Sequence, residues 1–162
     1  MIILGIDPGY AIIGFGVIDS SKNNEVIDYG VITTPKEDSI AVRLETIENS
    51  LIHLLKKYKP DVVAIEELFF FKNQKTVIPV AEARGVIIVT CRKYCKNIFE
   101  YTPLQIKQAL TGQGRAEKQQ VQFMVKTILG LSSIPKPDDA ADALAVALCH
   151  SQTSPRLNLN QM

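Results

Sequence analysis

A mixed α/β fold, one sheet with helices on its faces, is predicted by three features of the sequence. Three strand-like runs come first, at 2–7, 13–19 and 25–34, joined by short turn-rich links. Helical periodicities then alternate with two more strand-like runs, at 61–67 and 97–102. From Pro103 onward only helical segments and breaks remain. Links as short as "PGYA" and "SSKNN" make antiparallel hairpins, whereas a parallel neighbour needs a crossover of a dozen residues or more. The prediction is three antiparallel strands followed by two parallel ones, with helices on both faces.

Each element has its own signature. Residues 2–6 are all apolar or glycine, as in a strand buried on both faces, and the run ends on Asp7, with Pro8 and Gly9 as a turn. Ile40, Leu44, Ile47, Leu51, Leu54 and Tyr58 recur at intervals of four and three and predict a helix that "KYKP" ends. "DVVAIEE" (61–67) is a buried strand running into acid. Residues 76–94 predict a long helix with small residues at Ala81, Ala83 and Gly85. "NIFEYT" (97–102) is a short strand, and Pro103 opens the helix "PLQIKQAL". After the loop "TGQGR", residues 116–129 and then 138–150 predict two more helices, the last rich in alanine. The expected organisation is one domain over residues 1–150, with 151–162 a loose polar tail.

Composition bounds the partners. The 162 residues are 46% hydrophobic and 22% charged with a net charge of +1, so any polyanion must be met by a local patch or by bound cations. Three cysteines, Cys91, Cys95 and Cys149, predict reduced thiols in a cytosol. The apolar start lacks a basic leader, and no stretch approaches the roughly 18 apolar residues of a membrane span. The expected location is cytoplasmic.

Acids sit at the ends of elements. Asp7 ends the first strand and Glu66 the fourth, while Asp139 and Asp142 share a face in the first turn of the last helix. If strands one and four are parallel neighbours and the alanine-rich helix packs on the sheet, all four converge. Carboxylates so placed raise one another's pKa, and divalent cations resolve the conflict. Oxygen-only ligands suit Mg²⁺ or Mn²⁺, and a pair of such ions can activate water and stabilise the leaving oxygen of a phosphodiester. Taken singly, each acid also has a plainer role. Asp139 and Asp142 match a helix-capping pair, Asp7 an Asp-Pro-Gly turn, and Glu66 or Glu67 a solvated strand end.

Several segments together resemble the RuvC family of Holliday-junction resolvases, within the RNase H-like nuclease superfamily. They are "ILGIDPG", "AIEELFFFKN", "EARGVI", "AEKQQVQFMV" and "DDAADALAVA", in the family's order and spacing over about residues 1–150. The resemblance implies an RNase H-like sheet and a homodimeric endonuclease that places paired, symmetrical nicks in a four-way DNA junction, leaving 5′-phosphate and 3′-hydroxyl ends. It puts metal-binding catalytic carboxylates at Asp7, Glu66, Asp139 and Asp142, where some relatives have histidine at the third position. It implies two Mg²⁺ per site, Mn²⁺ substituting, and branch-migration partners of the RuvA and RuvB kind.

The same resemblance gives meaning to "LFFFK" (68–72). No strand or helix buries three consecutive phenylalanines on one face, and Phe69 matches a ring that stacks on an unpaired base, with Lys72 beside it. Lys107 and Lys118 match lysines near the scissile phosphate, and Arg115 lies between them as part of a basic rim. The helix at 76–94 is the expected dimer contact, through Ala81, Ala83 and Gly85. His53 and His150 are assigned no catalytic role; His150 ends a helix, where a cation suits the dipole.

Rival classes predict other behaviour. Gly-Ile-Asp-Pro-Gly also resembles a phosphate strand of actin-like and sugar-kinase ATPases, which need two such domains and a second glycine-rich loop; "GQGR" has no strand before it. Another RNase H-like nuclease would cut RNA–DNA hybrid. A non-cutting junction-binding dimer would bind without hydrolysis.

Overall fold

In the computed structural model, residues 1–68, 77–153 and 161–162 are described. Their strands form one five-stranded sheet: β1 (Ile2–Asp7), β2 (Ile12–Asp19), β3 (Glu25–Thr33), β4 (Val62–Glu66) and β5 (Ile98–Tyr101). The spatial order is β3-β2-β1-β4-β5. Pairings β1–β2 and β2–β3 are antiparallel, and β1–β4 and β4–β5 are parallel. The expected topology is therefore the observed one.

The helices are α1 (Ile40–Tyr58), α2 (Val77–Tyr94), α3 (Pro103–Thr111), α4 (Lys118–Ile128) and α5 (Asp138–Gln152). Local chemistry sets their ends. Ser39 caps α1, and Lys59 closes it in the left-handed conformation. Thr102 and Gln105 form a capping box around Pro103. The helix predicted from residue 116 begins at Lys118, because Glu117 and Gln120 make the capping box there.

Strand alternation divides the core in two. Ile3, Ile18, Val62 and Ala64 face α3, α4 and α5, together with Leu110, Val125 and Leu144. Leu4, Ile6, Val17, Val63 and Ile65 face α1 and α2, against Ile47, Leu51 and Ile87. Asp7 has the parity of Ile3, and Glu66 that of Val62 and Ala64, so both acids point to the α5 side.

The seating of α5 explains two glycines of the first hairpin. A Cβ on Gly5 would stand 2.1 Å from the Ala143 carbonyl oxygen, and one on Gly14 would stand 1.9 Å from that of Asp139. With no side chain there and alanines opposite, the helix backbone rests on the strand backbone.

Two expectations are corrected. Ala83 is fully buried in this chain's own core, so of the three small residues assigned to a dimer contact only Ala81 and Gly85 are exposed. His150 does not stand as a helix-end cation. Its Nδ1 is 2.7 Å from the Tyr101 hydroxyl, its ring lies 4.6 Å from that of Phe99, and burial holds its pKa below the usual value.

The cysteines are free and buried. Among the described residues, no helix is long and apolar enough to cross a membrane. Of the polar tail, residues 151 and 152 complete α5, and Gln161 bridges Phe99 on the edge of β5.

Candidate active site

Three elements bring the acids together. Asp7 ends β1 opposite Gly14 of β2. On its other side β4 runs parallel, Ile6 beside Ile65, so Glu66 is Asp7's neighbour in the next strand. Asp139 and Asp142 descend from the first turns of α5, whose backbone is in contact with Gly14 at Asp139. Parallel pairing, strand parity and close helix seating are each necessary for this meeting.

The electrostatics show which of these acids bear on one another. Burial first, then the charges of Glu66, Asp142 and Asp139, push the Asp7 carboxyl up to about 9. Burial and Asp142 raise Glu66 to about 7, opposed by a hydrogen bond from Asp7 and by the charges of Lys118 and Lys107. Both carboxyls are thus held above the ordinary carboxylate range, chiefly by burial and by each other's neighbourhood of like charge. Burial also raises Asp142, against its pair with Lys118.

The helix-capping role does not describe Asp139 and Asp142. The N-cap of α5 is Pro137, and no side chain caps the helix. The adjacent Asp138 is instead paired at 2.8 Å with Lys136 and at 3.6 Å with Lys118. The turn after Asp7 is held by other groups, described below.

Lysines line the mouth. A cleft of about 270 Å³ is bounded by Glu66, Pro103, Lys107, Lys118, Val121 and Asp142, among others. The Lys118 Nζ lies 3.0 Å from Asp142 Oδ2. Burial alone would lower the Lys118 pKa, but its contacts with Asp142 and Asp138 raise it, so the ammonium stays charged. Arg115 is exposed in the α3–α4 loop and is not among the residues lining the cleft. Phe69 and Lys72 lie outside the described residues.

The donor set fits a hard divalent cation. It consists of carboxylate oxygens alone, taken from three elements and partly withdrawn from water, where like charges need compensation. As the side chains stand, Asp142 is turned to Lys118, and among the described residues no three groups already converge as a metal-coordination sphere.

Sequence reasoning missed several groups packed around these acids. Gly5 and Gly14 seat α5, and their spacing opposite an alanine-rich helix was the available signal. Arg43 and Thr34, buried at the same sheet edge, carried no sequence signal.

Comparison with known proteins finds relatives over nearly the whole chain. Residues 3–150 match the family described as crossover junction endodeoxyribonuclease RuvC. A protein of that name from Caldicellulosiruptor saccharolyticus is 57% identical over 156 residues, covering 95% of this chain and 94% of the relative. Thermus thermophilus RuvC superposes with a TM-score of 0.90 at 32% identity, each chain covered completely. The T. thermophilus protein in complex with a Holliday junction substrate superposes with a TM-score of 0.88 at 31% identity, covering 100% of this chain and 99% of that one.

Proposed function

The chain belongs to the RuvC family of crossover junction endodeoxyribonucleases, and from that premise we propose that Asp7, Glu66, Asp139 and Asp142 are its metal-binding catalytic carboxylates. The activity is divalent-metal-dependent hydrolysis of phosphodiesters in a four-way DNA junction, by paired symmetrical nicks that leave 5′-phosphate and 3′-hydroxyl ends. The observation that carries the assignment is the meeting of four acids from β1, β4 and α5, with Asp7 and Glu66 held far above the ordinary carboxylate range.

The physiological ions are taken as two Mg²⁺, with Mn²⁺ substituting. Bound there, such ions supply an activated water and stabilisation of the leaving oxygen. Asp7 and Glu66 hold their oxygens on the sheet side, and Asp139 and Asp142 theirs on the helix side. Asp7 and Glu66 would hold such an ion in their ionised forms, its charge offsetting the like-charge repulsion between them. Lys118 leaves Asp142 and, with Lys107, holds the scissile phosphate across the cleft. Arg115, Lys72 and Phe69 serve the flanking DNA, Phe69 by stacking on an unpaired base.

Paired nicks require two centres related by the two-fold axis of the junction, so the working form is a homodimer. Its contact is the exposed face of α2, where Ala81 and Gly85 lie between Ile78, 70% exposed, and Val89, 57% exposed. Residues 1–150 make the nuclease domain and 151–162 its tail; the protein works in the cytoplasm with branch-migration proteins of the RuvA and RuvB kind.

The test is incubation of a labelled four-way junction with Mg²⁺, beside linear duplex and RNA–DNA hybrid. Symmetrical nicks in the junction alone support the assignment. Cutting of the hybrid overturns it in favour of another RNase H-like activity, and binding without cutting makes the protein a junction scaffold.

A further inference from the structure

At the same sheet edge, on the face opposite α5, a buried cation has no anionic partner among the described residues. Arg43 stands in the first turn of α1, only 5% exposed. Among the described residues no carboxylate lies within ion-pairing distance of it. A guanidinium withdrawn from water without a counter-charge is costly and persists only where other contacts hold it. Two do. Its Cζ lies 3.5 Å from the centre of the Tyr10 ring, and its Nε donates to Thr34 Oγ1 at 2.8 Å.

Both contacts lead to the turn that follows Asp7. The Thr34 hydroxyl donates a hydrogen bond to the Tyr10 carbonyl oxygen at 2.8 Å, and the Thr34 N–H donates to the Ala11 carbonyl at 3.0 Å. Tyr10 packs with the α1–α2 side of the core, while three residues earlier Asp7 faces α5. Residues 8–11 therefore straddle the sheet edge, with an acid at one end and an arginine-clamped ring at the other. The turn is tight, since a Cβ on Gly9 would stand 2.0 Å from the Ile12 carbonyl oxygen.

We propose that Arg43 is a positioning residue for the carboxylate centre: by clamping the Tyr10 ring and, through Thr34, the backbone of residues 10 and 11, it fixes the turn after Asp7 and holds the Asp7 carboxyl in register with Glu66. This inference rests on the assignment of the acids as metal ligands. The clamp is attached to the ligand strand from behind, so it acts without touching ion or DNA.

The experiment is calorimetric titration of the DNA-free protein with Mn²⁺, for the wild type, Arg43→Met, Arg43→Lys, Tyr10→Leu, Tyr10→Phe and the double variant Arg43→Met/Tyr10→Leu. Asp7→Asn is the control, and junction affinity is measured in parallel in chelator. Arg43→Met and Tyr10→Leu are each expected to weaken Mn²⁺ binding about tenfold, the low end for groups that orient ligands from behind. The double variant is expected to be little weaker than either single one, because both remove one shared contact. Tyr10→Phe, which keeps the ring, restores most of the loss, and Arg43→Lys, a point charge without the fork, restores less. Junction affinity stays at the wild-type value.

Unchanged Mn²⁺ affinity in Arg43→Met, with Asp7→Asn weakened, overturns the inference alone. Junction affinity falling with Arg43→Met also overturns it and makes Arg43 a phosphate contact. Unchanged Mn²⁺ affinity in Asp7→Asn overturns the metal assignment and the clamp with it. If Arg43→Met does not fold, the Tyr10 pair and Arg43→Lys decide by the same criteria.

Discussion

On one face of the sheet α5 lies on strand backbone at Gly5 and Gly14; on the other, α1 and α2 stand off on Leu4, Ile6, Val17, Val63 and Ile65. The first face carries the candidate ligands and the second carries bulk. The difference is one of tolerance. Where helix and strand backbones touch, adding a single methyl group must move α5, and Asp139 and Asp142 move with it. Where large aliphatic side chains fill the layer, removing atoms costs stability but leaves the sheet edge in place.

The sharpest way to break this contrast is Gly14→Ala. The new Cβ meets a backbone carbonyl that no rotamer change can clear, so α5 shifts against β2. Single-turnover junction nicking is expected to fall about a hundredfold, the usual effect of displacing reacting groups by about an ångström. The overpacking itself costs about 1–3 kcal/mol, read by urea denaturation. Nicking at the wild-type rate would show that the close seating does not position the acids.

Leu51→Ala asks the opposite question on the other face. Leu51 is fully buried in the α1 layer, and the cavity is expected to cost about 2–5 kcal/mol of stability. Where the variant remains folded, its nicking rate should stay close to that of the wild type. A matched loss of rate would erase the distinction between the faces.

A third effect comes from the acids themselves. Asp7 and Glu66 bind protons more tightly folded than unfolded, so the folded chain holds protons that the unfolded chain releases. Their contribution to stability is thus fully present below the ordinary carboxylate range and is lost progressively as pH rises from there, the loss being complete above about 7 for Glu66 and about 9 for Asp7. In chelator, thermal melts of the wild type should fall steadily over that window, and Asp7→Asn should flatten the fall and melt higher at the alkaline end. An Asp7→Asn melting curve that tracks the wild type at every pH would contradict the buried pairing.

The smallest effect belongs to a surface contact remote from the acids. Lys93 Nζ and Glu48 Oε1 are 3.0 Å apart on the outer side of α1 and α2, both substantially exposed. Lys93→Ala is expected to change stability by about 0.5 kcal/mol or less in a urea melt.

Sequence reasoning reached the sheet order because hairpin-length links, helical periods and buried runs are local signals. It singled out Asp7, Glu66, Asp139 and Asp142 through their places at the ends of elements, and the family resemblance gave those four acids a common role. It did not reach Arg43, because an arginine in the first turn of an amphipathic helix reads as a solvated face. Only the fold brings it against Tyr10 and Thr34. Ala83 and His150 failed for the same reason: small size and helix-end position are local facts, while burial among Ile87 and Leu51, or beside Tyr101, is tertiary.

The central claim is that acids of the sheet and acids of α5 make one metal centre. The most direct measurement is single-turnover nicking of a four-way junction by Asp7→Asn and by Asp142→Asn with Mg²⁺, with junction binding followed in parallel. Both variants are predicted to lose nicking by about a hundredfold or more while binding the junction as the wild type does. Wild-type nicking by Asp142→Asn, with Asp7→Asn inactive, would contradict the claim and leave the helix acids outside the centre.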